Sequence, residues 1–322
     1  MHGGIGVILA KGIIPMTKVF IDGSAGTTGL RIRERLAGRK DLSLVILPEE
    51  FRKDPAARQD ALNAADIAFL CLPDTAAVEA VSMVSSPDTV VIDTSTAHRT
   101  AEGWTYGFPE LAGLREKIAA SKRIANPGCH ASGFVALVAP LVEAGLLDPD
   151  VRLSTFSLTG YSGGGKKMIA EYEAGVRDPL LDAPRQYGLS QSHKHLPEMV
   201  KACGLNHAPV FCPIVAPYYA GMEVTVPLTP SDVSAPPDRL RDVYRAYYAS
   251  GLVSFREGAD ADGFLSAGVM AGRDSMEISV FGNEERILLV SRFDNLGKGA
   301  SGAAIQNMNL ALGLDETAGL VR

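Results

Sequence analysis

Lys18-Val19-Phe20-Ile21-Asp22, followed without a break by Gly23-Ser24-Ala25-Gly26-Thr27-Thr28-Gly29, decides how this chain is read. The first five residues predict a buried strand, and the next seven form a Gly-x-x-Gly-x-x-Gly turn. Leu30 to Leu36 continues as a helical stretch. Glycines at such a junction let backbone approach a pyrophosphate, and the helix N-terminus offers it N–H donors. Strand, turn and helix in this order predict a dinucleotide-binding unit, with a plain tight turn as the alternative. Gly23, Ser24, Gly26, Thr27, Thr28 and Gly29 are its candidate cofactor contacts.

Outward from this unit the alternation continues. A strand over 42–47 ends in Pro48-Glu49-Glu50-Phe51-Arg52-Lys53. An acid at this place suits the ribose hydroxyls of NAD, and a cation suits the 2′-phosphate of NADP. Arg52 and Lys53 favour NADP; a solvated loop without a ligand is the competing reading. Short apolar strands are predicted over 65–72 and 89–93, with a helix over 74–84 between them, giving a doubly wound α/β sheet. The loop after Asp93 (Thr94-Ser95-Thr96-Ala97-His98-Arg99) leaves the carboxyl end of a strand and faces the ligand crevice. Arg99 there suits a phosphate or carboxylate, or is a surface arginine.

Beyond Leu147 the pattern changes to amphipathic strands over 151–158 and 222–228, and a hairpin of 276–281 with 286–291 around Gly282-Asn283. Strands with one covered face predict an α+β domain. Residues 252–274 give no clear assignment, and a helix over 303–312 is expected to return to the first domain.

The chain has 322 residues, 46% of them hydrophobic, and a net charge of -6. That length accommodates one large or two ordinary domains. The acidic balance argues against a nucleic-acid partner. No apolar run reaches bilayer length, so no membrane partner is expected. Four scattered cysteines (71, 129, 203 and 212) form neither a metal-type pair nor a disulfide framework, which points to the cytoplasm. Residues 1–15 read as an extension, or as an early start ahead of Met16-Thr17-Lys18, with a short export signal as the other reading.

Asn126-Pro127-Gly128-Cys129 precedes the helical spacing Phe134, Leu137, Val138, Leu141, Val142. A turn there places Cys129 at a helix mouth, where unpaired N–H groups and the helix dipole favour a thiolate nucleophile. A small packed hydrophobe is the alternative. Gly160-Tyr161-Ser162-Gly163-Gly164-Gly165-Lys166-Lys167 resembles a phosphate-binding loop, but Lys167 stands where Mg²⁺ needs a hydroxyl. An anion-binding loop with Ser162 near a substrate, or a flexible surface loop, fits better. His193-Lys194-His195-Leu196-Pro197-Glu198 offers a proton shuttle with a carboxylate beside it. No zinc-type ligand spacing accompanies it, and no metal is expected. A polar surface turn is the plain reading. Cys203 and Cys212 are read as packing residues.

Taken in order, these motifs and Asp294-Asn295-Leu296-Gly297-Lys298-Gly299-Ala300 resemble the shorter form of the N-acetyl-gamma-glutamyl-phosphate reductase family and, more distantly, aspartate-semialdehyde dehydrogenase. The resemblance runs from Met16 to the C-terminus. It implies a Rossmann-type NADP-binding domain (16–129 with 296–322) and an α+β catalytic and dimerisation domain (130–295) forming a homo-oligomer, dimer or tetramer. It implies NADPH-dependent reduction of N-acetyl-glutamyl 5-phosphate to the 5-semialdehyde, with phosphate released, in arginine biosynthesis. On this resemblance Cys129 matches the nucleophile, His195 the acid/base and Arg99 a substrate-anion contact, while Asn295 lies near the nicotinamide. His195 is preferred to His193 for its spacing to Glu198, and Ser162 and Glu198 are placed with the substrate. A thiol hydrolase, a non-catalytic NADP sensor and an aspartate-semialdehyde dehydrogenase remain as alternatives, separable by NADPH binding, loss of Cys129 and substrate comparison.

Overall fold

The computed structural model describes residues 16–322, so the extension read at 1–15 lies outside the described residues. Strands β1 (Thr17–Asp22), β2 (Leu42–Val45), β3 (Ile67–Leu70), β4 (Val90–Asp93), β5 (Thr105–Tyr106) and β6 (Arg123–Ala125) form one parallel sheet, in the order β2-β1-β3-β4-β6-β5. β3 and β4 are buried throughout, as a sheet covered on both faces requires. The pleat divides the side chains between two layers. Val19, Ile21, Ile67, Phe69 and Ile92 meet α1 (Thr27–Leu36), α4 (Leu114–Ala120) and α9 (Gly302–Ala311). Phe20, Ala68, Leu70 and Val91 meet α2 (Pro55–Ala64) and α3 (Asp74–Met83). α2 begins on a good cap: the Asp54 carboxylate accepts from Ala57 N at 2.8 Å, and Pro55 follows. α1 has no such cap, and its first N–H groups are left for something else.

The second sheet is mixed and seven-stranded. It comprises β7 (Ser154–Gly160), β8 (Arg185–Gln186), β9 (Val210–Ala216), β10 (Met222–Leu228), β11 (Val253–Phe255), β12 (Met276–Gly282) and β13 (Ile287–Phe293), in the order β11-β12-β13-β10-β7-β9-β8. One face packs on α5 (Cys129–Glu143), which is buried from His130 through Leu141. α7 (Leu196–Cys203) and α8 (Pro237–Tyr247) complete that core, while α6 (Gly165–Glu173) follows the glycine-rich turn. Pro140 inside α5 cannot donate to the Ala136 carbonyl, and the Tyr248 hydroxyl donates to it instead at 2.7 Å.

Most expected elements are present with ends shifted by one to a few residues. β9 was not anticipated: Pro213 within Val210–Ala216 spoils a strand pattern, although here its carbonyl still accepts from Tyr187 N at 3.0 Å. The unassigned 252–274 stretch supplies β11 and then an irregular crossing to β12.

Candidate active site

Several separate stretches meet around one cavity of about 630 Å³. Gly26 to Gly29 come from the start of α1, Thr94 and Arg99 from the loop after β4, and Gly128 to His130 from the start of α5. Gly160 to Gly165, His193 to His195, and Asn295 to Ala300 close it from the other sheet. The expected residues Gly26, Thr27, Thr28, Gly29, Arg99, Cys129, Ser162, His195 and Asn295 all line this space. Gly23 and Ser24 line a neighbouring cavity of about 690 Å³ with Arg33, Arg52, Lys53 and Arg58.

Cys129 is the first residue of α5, with Gly128 as its cap. The expectation of a thiolate at the helix mouth needs correction for the unliganded protein. Burial pushes the Cys129 thiol up, and the opposing pull of Arg99 and of the His130 N–H is weaker. Cys129 is half-buried in the cavity wall, and the desolvation by its packed surroundings is invisible in a helix-mouth argument.

Arg99 is fully braced. Its Nε donates to the Asn126 carbonyl at 3.0 Å, Nη2 to the Thr94 carbonyl at 3.1 Å, and Nη1 to Glu198 at 3.0 Å. Glu198, expected beside the substrate and as the partner of His195, stands elsewhere. It does not line the cavity, and its carboxylate accepts from Arg99, from the Tyr106 hydroxyl at 2.8 Å and from Gly128 N at 2.7 Å. None of these bonds goes to His195, so the spacing used to prefer that histidine has a different meaning. Three residues after His195, on the first turn of α7, Glu198 turns away from the cavity toward Arg99 and Gly128.

His195 is buried, and its Nδ1 has no hydrogen-bond partner. Its backbone N donates to His193 Nδ1 at 3.2 Å, and the two rings lie 4.7 Å apart. Burial, then Arg99, holds the His195 imidazole well below its ordinary value. His193 is also lowered, by burial and then Lys194. His130, which the sequence reading passed over, joins them: its Nδ1 lies 2.7 Å from Ser157 Oγ and its Nε2 2.6 Å from the Tyr187 hydroxyl. Burial pushes His130 down to about 3, so it is a neutral, fixed ring. Its position next to Cys129 was a usable signal; Tyr187, 57 residues away, had none.

The loop ahead of α1 fits a dinucleotide. Gly23 has φ +83°, and a Cβ there would lie 2.2 Å from the Cys71 carbonyl oxygen; at Gly29 it would lie 2.5 Å from the Gly23 oxygen. Thr27 Oγ1 is buried with no partner, an orphan that a phosphate oxygen satisfies. In the neighbouring cavity Asp22 accepts from Arg58 Nε at 3.1 Å and Nη2 at 2.9 Å. That leaves Arg33, Arg52 and Lys53 as further cations around it. Asn295 is locked, its Nδ2 donating to Ser162 Oγ at 3.0 Å and its Oδ1 accepting from Gly221 N at 2.9 Å. Ser162 is therefore buried against Asn295 as well as edging the cavity.

A parallel dinucleotide sheet, a mixed sheet and a cysteine where they meet define a class, and the comparisons name it. A family model described as semialdehyde dehydrogenase, NAD binding domain, matches residues 47–121, and one described as semialdehyde dehydrogenase, dimerisation domain, matches 129–295. Aspartate semialdehyde dehydrogenase II from Vibrio cholerae superposes with a TM-score of 0.71 at 18% identity, covering 92% of this chain and 98% of that one. The Candida albicans aspartate semialdehyde dehydrogenase with NADP gives 0.65 at 14%, over 92% and 99%. At those identities the likeness is one of fold. In sequence the chain is 46% identical to N-acetyl-gamma-glutamyl-phosphate reductase of Burkholderia lata over 93% of its length and 98% of the relative's. It is 47% identical to that of Brucella ovis over 92% and 99%. The chain belongs to the N-acetyl-gamma-glutamyl-phosphate reductase family, and it is an oxidoreductase with a semialdehyde dehydrogenase NAD binding domain.

Proposed function

We propose that this chain reduces N-acetyl-L-glutamyl 5-phosphate to the 5-semialdehyde through a thioester on Cys129, a step of arginine biosynthesis carried out in the cytoplasm. The observation that carries the reading is the shared cavity: the uncapped start of α1, the Cys129 thiol, Arg99 and His195 all border it.

Cys129 Sγ attacks the acyl carbon, the carbon–oxygen bond to phosphate breaks, and phosphate leaves. The braced Arg99 guanidinium holds an anionic group of the substrate while its other N–H groups stay on protein acceptors. N–H groups at the start of α5 face the oxyanion of the tetrahedral species. His195, neutral at the outset, takes the thiol proton on attack and returns it to the Cys129 sulfur when the carbon–sulfur bond of the reduced adduct breaks and its oxygen becomes the aldehyde carbonyl. NADPH, when bound along the Gly23 to Gly29 loop and Asn295, supplies the hydride that reduces the thioester carbonyl.

The second sheet's outer face supports a homodimer. Phe156 and Val210 are exposed there on the paired strands β7 and β9, and Leu288 on β13 with β10 between it and β7, in the region matched by the dimerisation-domain model. A second copy laid on this face buries them. Light scattering at twice the chain mass is expected.

The test of the reaction is NADPH formation from N-acetylglutamate 5-semialdehyde, NADP⁺ and phosphate, with aspartate semialdehyde in parallel. Phosphate-dependent turnover of the acetylated substrate alone is expected. Turnover of aspartate semialdehyde alone moves the substrate assignment, and turnover of neither overturns the reading.

A further inference from the structure

Helix α1 carries Arg31 and Arg35, four residues apart and hence on one face, and Arg39 follows just past its end. None of them was singled out by the motifs, and neither Arg31 nor Arg35 lines either cavity. Arg31 and Arg35 reach out of the first sheet's layer, while Arg39 stays within it. Arg31 Nη2 donates to Asp294 Oδ2 at 3.4 Å, and Arg35 Nη1 to Asp274 Oδ1 at 2.5 Å. Arg39 Nη1 donates to Asn309 Oδ1 and to the Ala318 carbonyl, both at 3.0 Å.

The two acceptors nearest the site are the informative ones. Asp274 and Asp294 are completely buried and flank the β12–β13 hairpin, just before it and just after it. Asp294 also accepts from Gly272 N at 2.6 Å and from Leu296 N at 2.7 Å, so it ties the two ends of that hairpin together. Asp274 accepts from Val321 N at 2.9 Å, which draws in the C-terminal residues. The packing there leaves no slack: a Cβ on Gly302 would stand 2.2 Å from Asp274 Oδ1, and one on Gly297 3.0 Å from the Asp294 Cβ.

The residue after Asp294 is Asn295, whose side chain borders the cavity and is itself locked to Ser162 and Gly221. The residues one turn before Arg31 are Thr27 and Thr28, which line the same cavity. A single ion pair therefore links the helix that follows the dinucleotide loop to the segment that carries the asparagine. We infer that Arg31 and Asp294, backed by Arg35 and Asp274, are positioning residues that set the distance between the dinucleotide loop and Asn295. They thereby fix where the nicotinamide ring lies against Cys129. This rests on the reading that NADPH spans the cavity from α1 to Asn295.

The test compares NADPH binding and turnover in the parent chain, Arg31→Gln, Arg31→Lys and, as a control on the same helix, the exposed Glu34→Gln. Binding is followed by the fluorescence of the reduced nicotinamide, which reports the ring's surroundings separately from affinity. Arg31→Gln is expected to bind NADPH within about threefold of the parent, to change the emission of the bound ring, and to lose about tenfold in kcat. Arg31→Lys recovers part of that loss, and Glu34→Gln behaves as the parent. Unchanged emission and kcat overturn the inference and leave the ladder as a brace. A loss of affinity with kcat unchanged at saturation also overturns it, since Arg31 would then hold the cofactor itself. Arg35→Gln gives the same comparison if Arg31→Gln loses its native melting transition. Absence of turnover in the parent sinks the proposed reaction, while the emission comparison still decides the clamp.

Discussion

A Cβ placed on Gly128 would stand 2.5 Å from Nε2 of His195. The same atom would stand 2.4 Å from Arg99 Nη1, so the hydrogen of this glycine is the spacer that lets both side chains close on the start of α5. Gly128→Ala is expected to push them apart and lower kcat/KM by about 100-fold, as displacements near 1 Å do. NADPH affinity stays near the parent value, and steady-state kinetics beside a binding titration checks both.

The thiol prediction follows from the opposing effects on Cys129. Burial raises its pKa and Arg99 lowers it, so removing the guanidinium leaves burial unopposed. In Arg99→Gln the pH midpoint for alkylation of Cys129 by iodoacetamide is expected to move upward. Cys129→Ala abolishes turnover and retains NADPH binding. An unchanged midpoint shows that Arg99 does not act on the sulfur.

The histidines make the fold sensitive to acid. His130 is held down to about 3 in the folded chain, against 6.5 ordinarily, and His193 and His195 are lowered as well. Below pH 6.5 the unfolded chain takes up protons that the folded chain refuses. Stability is therefore fully present above that value and is lost as pH falls toward 3, at up to about 1.4 kcal/mol per pH unit for each such group. The melting temperature is expected to drop over that window and to drop less steeply in His130→Gln. A parallel dependence in the variant removes His130 from the account.

Glu198 is a buried carboxyl group that satisfies three donors, with burial pushing its pKa up against the pull of Arg99. Glu198→Ala strands the Arg99 guanidinium in a site with little water, and urea unfolding should show a loss of roughly 3–5 kcal/mol. Glu198→Gln keeps the shape and some of the bonds, and is expected to lose less stability than Glu198→Ala. Equal unfolding midpoints for all three chains contradict the bracing role.

Tyr248→Phe tests the repair at Pro140. Without the hydroxyl the Ala136 carbonyl is buried and unpaired, and denaturant unfolding should show a loss of about 1–3 kcal/mol.

Much of the first domain was legible because its signals are local. Gly23 and Gly29 are glycines for reasons of backbone contact within a few residues or one strand away, and the buried runs 67–70 and 90–93 announce a sheet covered on both faces. The second sheet was legible only where alternation was clean, as in 222–228. β9 was hidden by its proline, whereas α8 has ordinary local signals, Pro237 in its first turn and Leu240 and Tyr244 four apart on its buried face.

By itself the chain determined the dinucleotide turn, the placing of Cys129 at a helix start and the histidine and asparagine motifs, since each depends on neighbours close in sequence. Only the tertiary structure decided what surrounds them. Burial outweighs the helix mouth at Cys129, and Glu198 braces Arg99 and the Gly128 N–H instead of His195. His130 becomes a neutral ring between Ser157 and Tyr187, and Arg31 finds Asp294 across 263 residues of chain. Desolvation and long-range pairing depend on which surfaces meet in three dimensions, and no spacing along the chain carries that information.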